Sequence, residues 1–244
     1  MSKHYSRFNL LIRSAIFSVF SVIFIITASI SAALAFWLPI SVRFKIITGY
    51  LRFYMVVLKH LCHIDYHVEG LDNIPKEQRV VVLCKHQSTW ETFFMPLIFR
   101  DVAMIAKREL LWVPFFGWGF AASEPITINR NNKSSAMQQI IKKGAACLKA
   151  DRDIIAFPEG TRVPVGVVGN YRLGAARLIA ATEAPFICVA HNAGSYWPRR
   201  QFIKRPGTIQ VVISPLMSSV GKKPEQILES AKGWIENTMA RMDA

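Results

Sequence analysis

No acidic side chain precedes Asp65, although residues 1–64 carry seven basic ones: Lys3, Arg7, Arg13, Arg43, Lys45, Arg52 and Lys59. Half of the formal charge of +14 therefore sits in the first quarter of the 244-residue chain. Charged residues are few, 19% against 52% hydrophobic ones. That balance excludes a disordered polycation, because so much apolar material collapses out of water. Beyond residue 64 the 23 basic and 16 acidic groups leave an excess of +7, mild for 180 residues. A nucleic-acid binder carries its basic face on its folded domain, so no nucleic-acid partner is expected. Cysteine is scarce too, and Cys62, Cys84, Cys147 and Cys188 show no zinc or redox spacing. Three of the four lie in apolar or helix-like surroundings, which suits reduced, buried thiols and a reducing compartment. Internal repeats, low-complexity tracts and long linkers are missing as well, so the length reads as one domain plus an appendage.

The appendage is the amino-terminal quarter. Residues 14–42 form a run of 29 without a charge, bounded by Arg13 and Arg43, and about 20 apolar helical residues suffice to cross a bilayer. Three readings compete. A cleaved signal peptide would use Lys3, Arg7 and Arg13 as its basic region and Ala33-Leu34-Ala35 as its cleavage site, but the run is longer than a usual signal core. A single span would place the main domain in the cytoplasm, by the basic excess after Arg43. A membrane-inserted helical pair is the third reading. Pro39 breaks the helix, and in residues 41–62 Lys45, Arg52 and Lys59 recur every seven positions, forming one cationic stripe beside an apolar flank. The alternative for that second helix is packing on the domain with a solvated stripe. We divide the chain into a membrane anchor, residues 1–62, and a folded domain, residues 63–244.

In the folded part, strand-like runs are expected at residues 63–70, 80–84, 102–106, 126–129, 154–157, 186–190 and 209–213. Helices are expected at 132–150, 173–182 and 224–242. The alternation predicts an α/β core with a mixed, largely parallel sheet flanked by helices.

Functional groups in such a sheet collect where strands end. After the second run the sequence is Lys85-His86-Gln87-Ser88-Thr89-Trp90-Glu91. With Ser88 or Thr89 capping a helix, His86 lies in the preceding turn and its ring folds back toward Glu91. The carboxylate then fixes the imidazole tautomer and leaves the other nitrogen free as a base. The turn Phe157-Pro158-Glu159-Gly160-Thr161-Arg162 offers backbone N–H groups beside a guanidinium, a cradle for a phosphate monoester. Arg130 ends a third run, Pro125-Ile126-Thr127-Ile128-Asn129-Arg130.

These blocks, followed by Ala184-Pro185-Phe186-Ile187-Cys188-Val189-Ala190-His191, resemble in order the four motifs of the glycerolipid acyltransferases. Within that family the chain is most similar to the bacterial 1-acyl-sn-glycerol-3-phosphate acyltransferases. The resemblance runs from about residue 68 to residue 212 and includes Lys107-Arg108-Glu109-Leu110, Gly117-Trp118-Gly119 and Trp197-Pro198-Arg199. It implies the family fold and transfer of a fatty acyl group from acyl-CoA or acyl-carrier protein to the sn-2 hydroxyl of lysophosphatidic acid. It implies catalysis by His86 and Glu91, and acceptor binding by Lys107, Arg130, Glu159, Gly160, Thr161 and Arg162. No cofactor or metal is implied, and the partners are the phospholipid bilayer, the lysolipid and the thioester donor. The expected location is the cell inner membrane, with the catalytic domain facing the cytoplasm.

The sequence departs from the family pattern in places. Glu91 replaces the usual aspartate, residues 163–170 replace a more basic stretch, Tyr171-Arg172-Leu173-Gly174 stands for a Lys-Gly-Gly-like end, and Cys188 stands where proline is common. Two alternatives stay open: acylation of another lysolipid, such as a lyso-ornithine lipid, or of glycerol 3-phosphate; and a non-catalytic membrane lipid-binding relative, which Glu91 keeps in play. The spacing of His60, His63 and His67 does not suit a metal. Arg199, Arg200, Lys204 and Arg205 read as a solvated loop or a contact for anionic lipid or carrier protein. Trp112, Phe115, Phe116 and Trp118 read as an acyl path or as core and interface aromatics.

Overall fold

A computed structural model describes residues 5–128 and 133–243. In chain order the elements are α1 (Arg7–Leu34), α2 (Ile40–Cys62), β1 (Ile64–Glu69), β2 (Val81–Cys84), α3 (Trp90–Phe94), β3 (Ala103–Lys107), α4 (Phe116–Ala122) and β4 (Ile126–Ile128). They continue with α5 (Lys133–Lys149), β5 (Ile154–Ala156), α6 (Gly174–Thr182), β6 (Phe186–His191), α7 (Ala193–Tyr196), β7 (Gly207–Ile213) and α8 (Pro224–Asp243). All seven expected strands and the three expected helices are present, with ends shifted by a residue or two. The short α3 is the helix expected after the Ser88-Thr89 turn, and α4 and α7 are short helices added outside the expected runs.

The strands form one sheet in the order β1-β7-β6-β2-β5-β3-β4. Every neighbouring pair is parallel except β6 and β7. The mixed, mostly parallel sheet is thus as expected. Strands β2, β5 and β6 are buried along their whole length, which explains why they read as continuous apolar runs, since parallel strands are covered on both faces. Because side chains alternate across a strand, Val82 and Cys84 pack on one face with Phe17, Tyr54 and Leu58, whereas Val81 and Leu83 pack on the other with Leu178, Ile227 and Ile235.

The amino-terminal pair is therefore part of the core. Pro39 ends the break between α1 and α2 and opens α2, where a missing N–H costs nothing. Phe17, Tyr54 and Leu58 are almost fully buried. Polar links tie the pair together: Ser21 to Tyr54 at 2.9 Å and Ser31 to Tyr50 at 2.8 Å between hydroxyls. Gly119 of α4 lies against α1, where an added Cβ would stand 3.0 Å from the Ser29 Cα. Helix α1 is long and apolar enough to cross a membrane, with a mean hydropathy of 2.3.

The cationic stripe exists, with exceptions. Lys45, Arg52 and Lys59 are all exposed on α2, but Lys59 is paired with Asp65 at 2.7 Å. Two other basic groups of the acid-free segment serve the protein interior. Arg13 donates to the Leu61 carbonyl. Arg43 is buried, donating to the carbonyls of Leu38 and Ala122 and pairing with Glu124. Neither is free to meet lipid phosphate: Arg13 is held by α2 within the segment, and Arg43 by the Leu38 carbonyl together with Ala122 and Glu124 of the folded domain.

Candidate active site

Strand β2 lies between β5 and β6. The three run parallel, so their following turns emerge at one edge: 85–89 after β2, 157–162 after β5, and Asn192 after β6. Lys107 ends β3, the next strand out. Strand polarity alone therefore gathers the blocks at the carboxyl edge, where α/β sheets bind their ligands. Arg130 lies outside the described residues.

His86 and Glu91 meet as their spacing predicts. The Nδ1 of His86 is 2.8 Å from Oε1 of Glu91, so Nδ1–H donates to the carboxylate and Nε2 is left as acceptor. The same oxygen accepts from the backbone N–H groups of Gln87 at 3.0 Å and Ser88 at 2.8 Å. The longer acid thus reaches both the ring and the turn. Thr89 holds the N-cap position of the short helix without a side-chain cap bond; Ser88, one residue earlier, accepts from the Trp90 N–H with its Oγ at 3.2 Å and donates to the Trp197 carbonyl. Glu91 is fully buried, which alone would raise its carboxyl; neighbouring His191, His86 and the Ser88 N–H outweigh that and hold it below its ordinary value. It stays a carboxylate. His86 is also stacked on Phe157, ring centroids 4.2 Å apart, so its orientation is fixed from two sides.

His191 is structural. Fully buried, with burial lowering its proton affinity, it bonds the Lys85 carbonyl through Nε2 and accepts the Ala193 N–H at Nδ1. One donor and one acceptor suit the neutral ring.

The expected acceptor-binding groups divide. Lys107, Gly160, Thr161 and Arg162 line one cavity with His86. Arg162 donates from Nη1 to the Thr89 hydroxyl at 2.6 Å, which aims it beside the catalytic turn. Glu159 is a correction. It points away from the cavity, is 2% exposed, and binds Lys85 Nζ with Oε1 at 2.8 Å and the His86 N–H with Oε2 at 2.9 Å. A carboxylate beside a lipid phosphate would repel it; turned inward, it braces the base instead.

The cavity measures about 840 Å³ and runs between the sheet edge and the amino-terminal helices, a size that encloses small ligands. Phe24, Ala28, Phe44, Leu51, Phe93 and Ile140 give it apolar walls. Phe116 belongs to the wall, but Trp112, Phe115 and Trp118 do not, and all three are exposed. Arg172, Arg177 and Arg199 also face it. Arg199 donates to the Arg162 carbonyl at 2.5 Å, so one cation of the loop read as a lipid or carrier contact turns into the site, while Arg200, Lys204 and Arg205 stay outside the cavity wall. No spacing could have shown this, since Arg162 and Arg199 are 37 residues apart.

The model of the Acyltransferase family matches residues 65–192. The 1-acyl-sn-glycerol-3-phosphate acyltransferase of Pseudomonas aeruginosa is 44% identical over 209 residues, covering 84% of this chain and 81% of that protein. The chain belongs to the acyltransferase family. The mouse 1-acyl-sn-glycerol-3-phosphate acyltransferase alpha is 29% identical over 72% of the chain and 63% of its own length. The crystal structure of the 1-acyl-sn-glycerophosphate acyltransferase of Thermotoga maritima superposes with a TM-score of 0.80, covering 96% of each chain at 20% identity; at that identity it supports the acyltransferase fold. All four cysteines of this acyltransferase are free, and none is among the described residues that line the cavity.

Proposed function

We propose that the protein acylates the sn-2 hydroxyl of 1-acyl-sn-glycerol 3-phosphate from a fatty acyl thioester, acyl-CoA or acyl-carrier protein, forming phosphatidic acid. The observation that carries this reading is an imidazole held in one tautomer by a buried carboxylate, on the wall of an apolar cavity that also presents Arg162, Arg199 and Lys107. The relatives named for this reaction support it.

The chemistry follows from the geometry. The Nε2 of His86 removes the acceptor hydroxyl proton as the oxygen attacks the thioester carbonyl carbon. Glu91 stabilises the imidazolium that forms, being ionised and within hydrogen-bond reach. Collapse of the tetrahedral intermediate breaks the C–S bond, and His86 returns its proton to the departing thiolate. The acyl group passes directly to the acceptor, so no covalent enzyme intermediate is formed. Arg162 and Arg199, with Lys107, hold the acceptor phosphate, while Gly160 and Thr161 shape the turn that carries Arg162. The intact dyad argues against the non-catalytic reading that Glu91 kept open.

Residues 1–62 hold the enzyme in the membrane with the apolar outer face of α1 and wall the acyl cavity with the inner faces of α1 and α2. The basic excess after α1 and the cytoplasmic supply of thioesters favour a domain on the cytoplasmic face of the inner membrane. The test uses membranes carrying wild type or His86→Ala, supplied with lysophosphatidic acid and labelled acyl-CoA. Loss of the base lowers phosphatidic acid synthesis by about 10²- to 10⁴-fold; equal synthesis overturns the assignment.

A further inference from the structure

Behind the catalytic turn, Lys85 is 1% exposed and its ammonium has three acceptors: Oε1 of Glu159 at 2.8 Å, Oε1 of Glu236 at 2.8 Å and the Val167 carbonyl at 3.4 Å. An ammonium has three N–H donors, so the group is saturated. Glu236 comes from α8, 151 residues away in sequence, and also accepts from the Tyr171 hydroxyl at 2.6 Å. Tyr171 closes the segment that begins at the Phe157 turn. The cluster therefore ties together the residue before His86, the turn after β5, the far end of that loop and the carboxyl-terminal helix.

We propose that Glu236 is a positioning residue for acyl transfer: through Lys85 it fixes Glu159, and through Glu159 the backbone N–H of His86. The chain of contact is continuous. Glu159 spends one oxygen on Lys85 and the other on the His86 N–H. It can accept from both only as a carboxylate, and burial pushes its carboxyl up, so the neighbouring ammonium is what keeps it ionised. Glu236 and Tyr171 in turn fix where that ammonium sits. Residues 163–170, which depart from the family's basic pattern, form the cover. Gly169 lies so close that an added Cβ would stand 2.6 Å from Oε1 of Glu159, leaving the carboxylate no second position. No group of this cluster other than the His86 backbone belongs to the reacting machinery, so the effect on catalysis is one of placement.

This inference rests on His86 being the base, and the experiment separates the two. Purified full-length Glu236→Ala, Glu236→Gln, Ile235→Ala and His86→Ala are assayed with lysophosphatidic acid and acyl-CoA beside thermal melts. Ile235 is fully buried on the neighbouring face of α8 and reports loss of helix packing alone. Glu236→Ala lowers kcat about ten- to a hundredfold and leaves KM for either substrate within about twofold of wild type, because neither substrate touches α8. Glu236→Gln recovers most of kcat, since its amide oxygen accepts from Lys85 and Tyr171 alike. Ile235→Ala at an equal loss of melting temperature keeps its kcat. The proposal is overturned if Glu236→Ala keeps wild-type kcat, if the glutamine recovers no more than alanine, or if Ile235→Ala loses kcat equally. Wild-type activity in His86→Ala removes the parent reading and this inference with it; an inactive His86→Ala beside a fully active Glu236→Ala removes this inference alone.

Discussion

Helices α1 and α8 cover opposite faces of one sheet, and their polarity is reversed. Helix α8 turns Ile227, Ala231, Ile235 and Met239 inward and leaves Glu225, Gln226, Glu229, Ser230, Lys232 and Asn237 exposed, the pattern of a helix between core and water. Helix α1 buries Phe17 and Phe24 but also Ser14 and Ser29, and exposes Phe8, Ile12, Ile16, Val19, Ile23 and Leu34. Its buried serines look inward: Ser14 Oγ accepts the Lys204 N–H at 2.9 Å. A face that apolar is not left to water on a soluble monomer. Small and hydroxylated residues at a helix contact, with bulky apolar ones outside, are the arrangement expected where lipid is the solvent. One sheet therefore carries a helix patterned for water on one face and a helix whose outer side suits lipid on the other, and the cavity opens beside the latter.

The largest effect separates the two outer faces. Ile16→Lys with Ile23→Lys puts two charges on the outer side of α1, each costing about 2.5 to 3.5 kcal/mol at a bilayer centre. Sedimentation after an alkaline carbonate wash is expected to find this variant largely in the soluble fraction, while Lys232→Glu on α8 stays in the pellet as wild type does. Retention of the double lysine variant would break the comparison. The inner faces, in contrast, are expected to behave alike. Phe17→Ala costs about 3 to 5 kcal/mol and Ile235→Ala about 2 to 5 kcal/mol, read from denaturation in detergent, because each empties a packed site against the same sheet. Gly119→Ala tests the close crossing of α1 and α4. The neighbours of an added Cβ there are the Ser29 Oγ at 2.7 Å and its backbone Cα at 3.0 Å, and since the Cα cannot swing aside, overpacking is expected to cost about 1 to 3 kcal/mol, with cavity-wall disorder showing as a raised KM for long-chain donors. Least of all, Tyr54→Phe removes the link to Ser21 and is expected to cost about 0.5 to 1.5 kcal/mol.

Much of the site was legible because it is local. His86 and Glu91 stand five residues apart across one capped turn, and that spacing with the flanking strand suffices to bring the ring to the carboxylate. The same holds for the strands, whose continuous apolar runs announce burial on both faces. Glu159 was misread, since its motif says only that it borders Gly160-Thr161-Arg162; which way it turns depends on Lys85 and Glu236. Arg43 was read as a boundary of the apolar run, and its burial depends on Glu124, 81 residues on. The aromatic cluster around Trp112 split, with Phe116 alone of the four in the cavity wall, because the direction of each ring follows from how the segment lies on α1.

By itself the sequence determined the elements, the acid-free apolar segment, the base with its carboxylate, and the order of the blocks, all of which depend on spacings of a few residues. The tertiary structure decided which face of α1 is left outward, that the amino-terminal helices wall the cavity, that Arg199 turns into the site, and that α8 reaches the back of the catalytic turn. The physical reason is strand order. Placing β2 between β5 and β6 brings groups more than a hundred residues apart within hydrogen-bond distance, and a linear pattern carries no term for that neighbourhood.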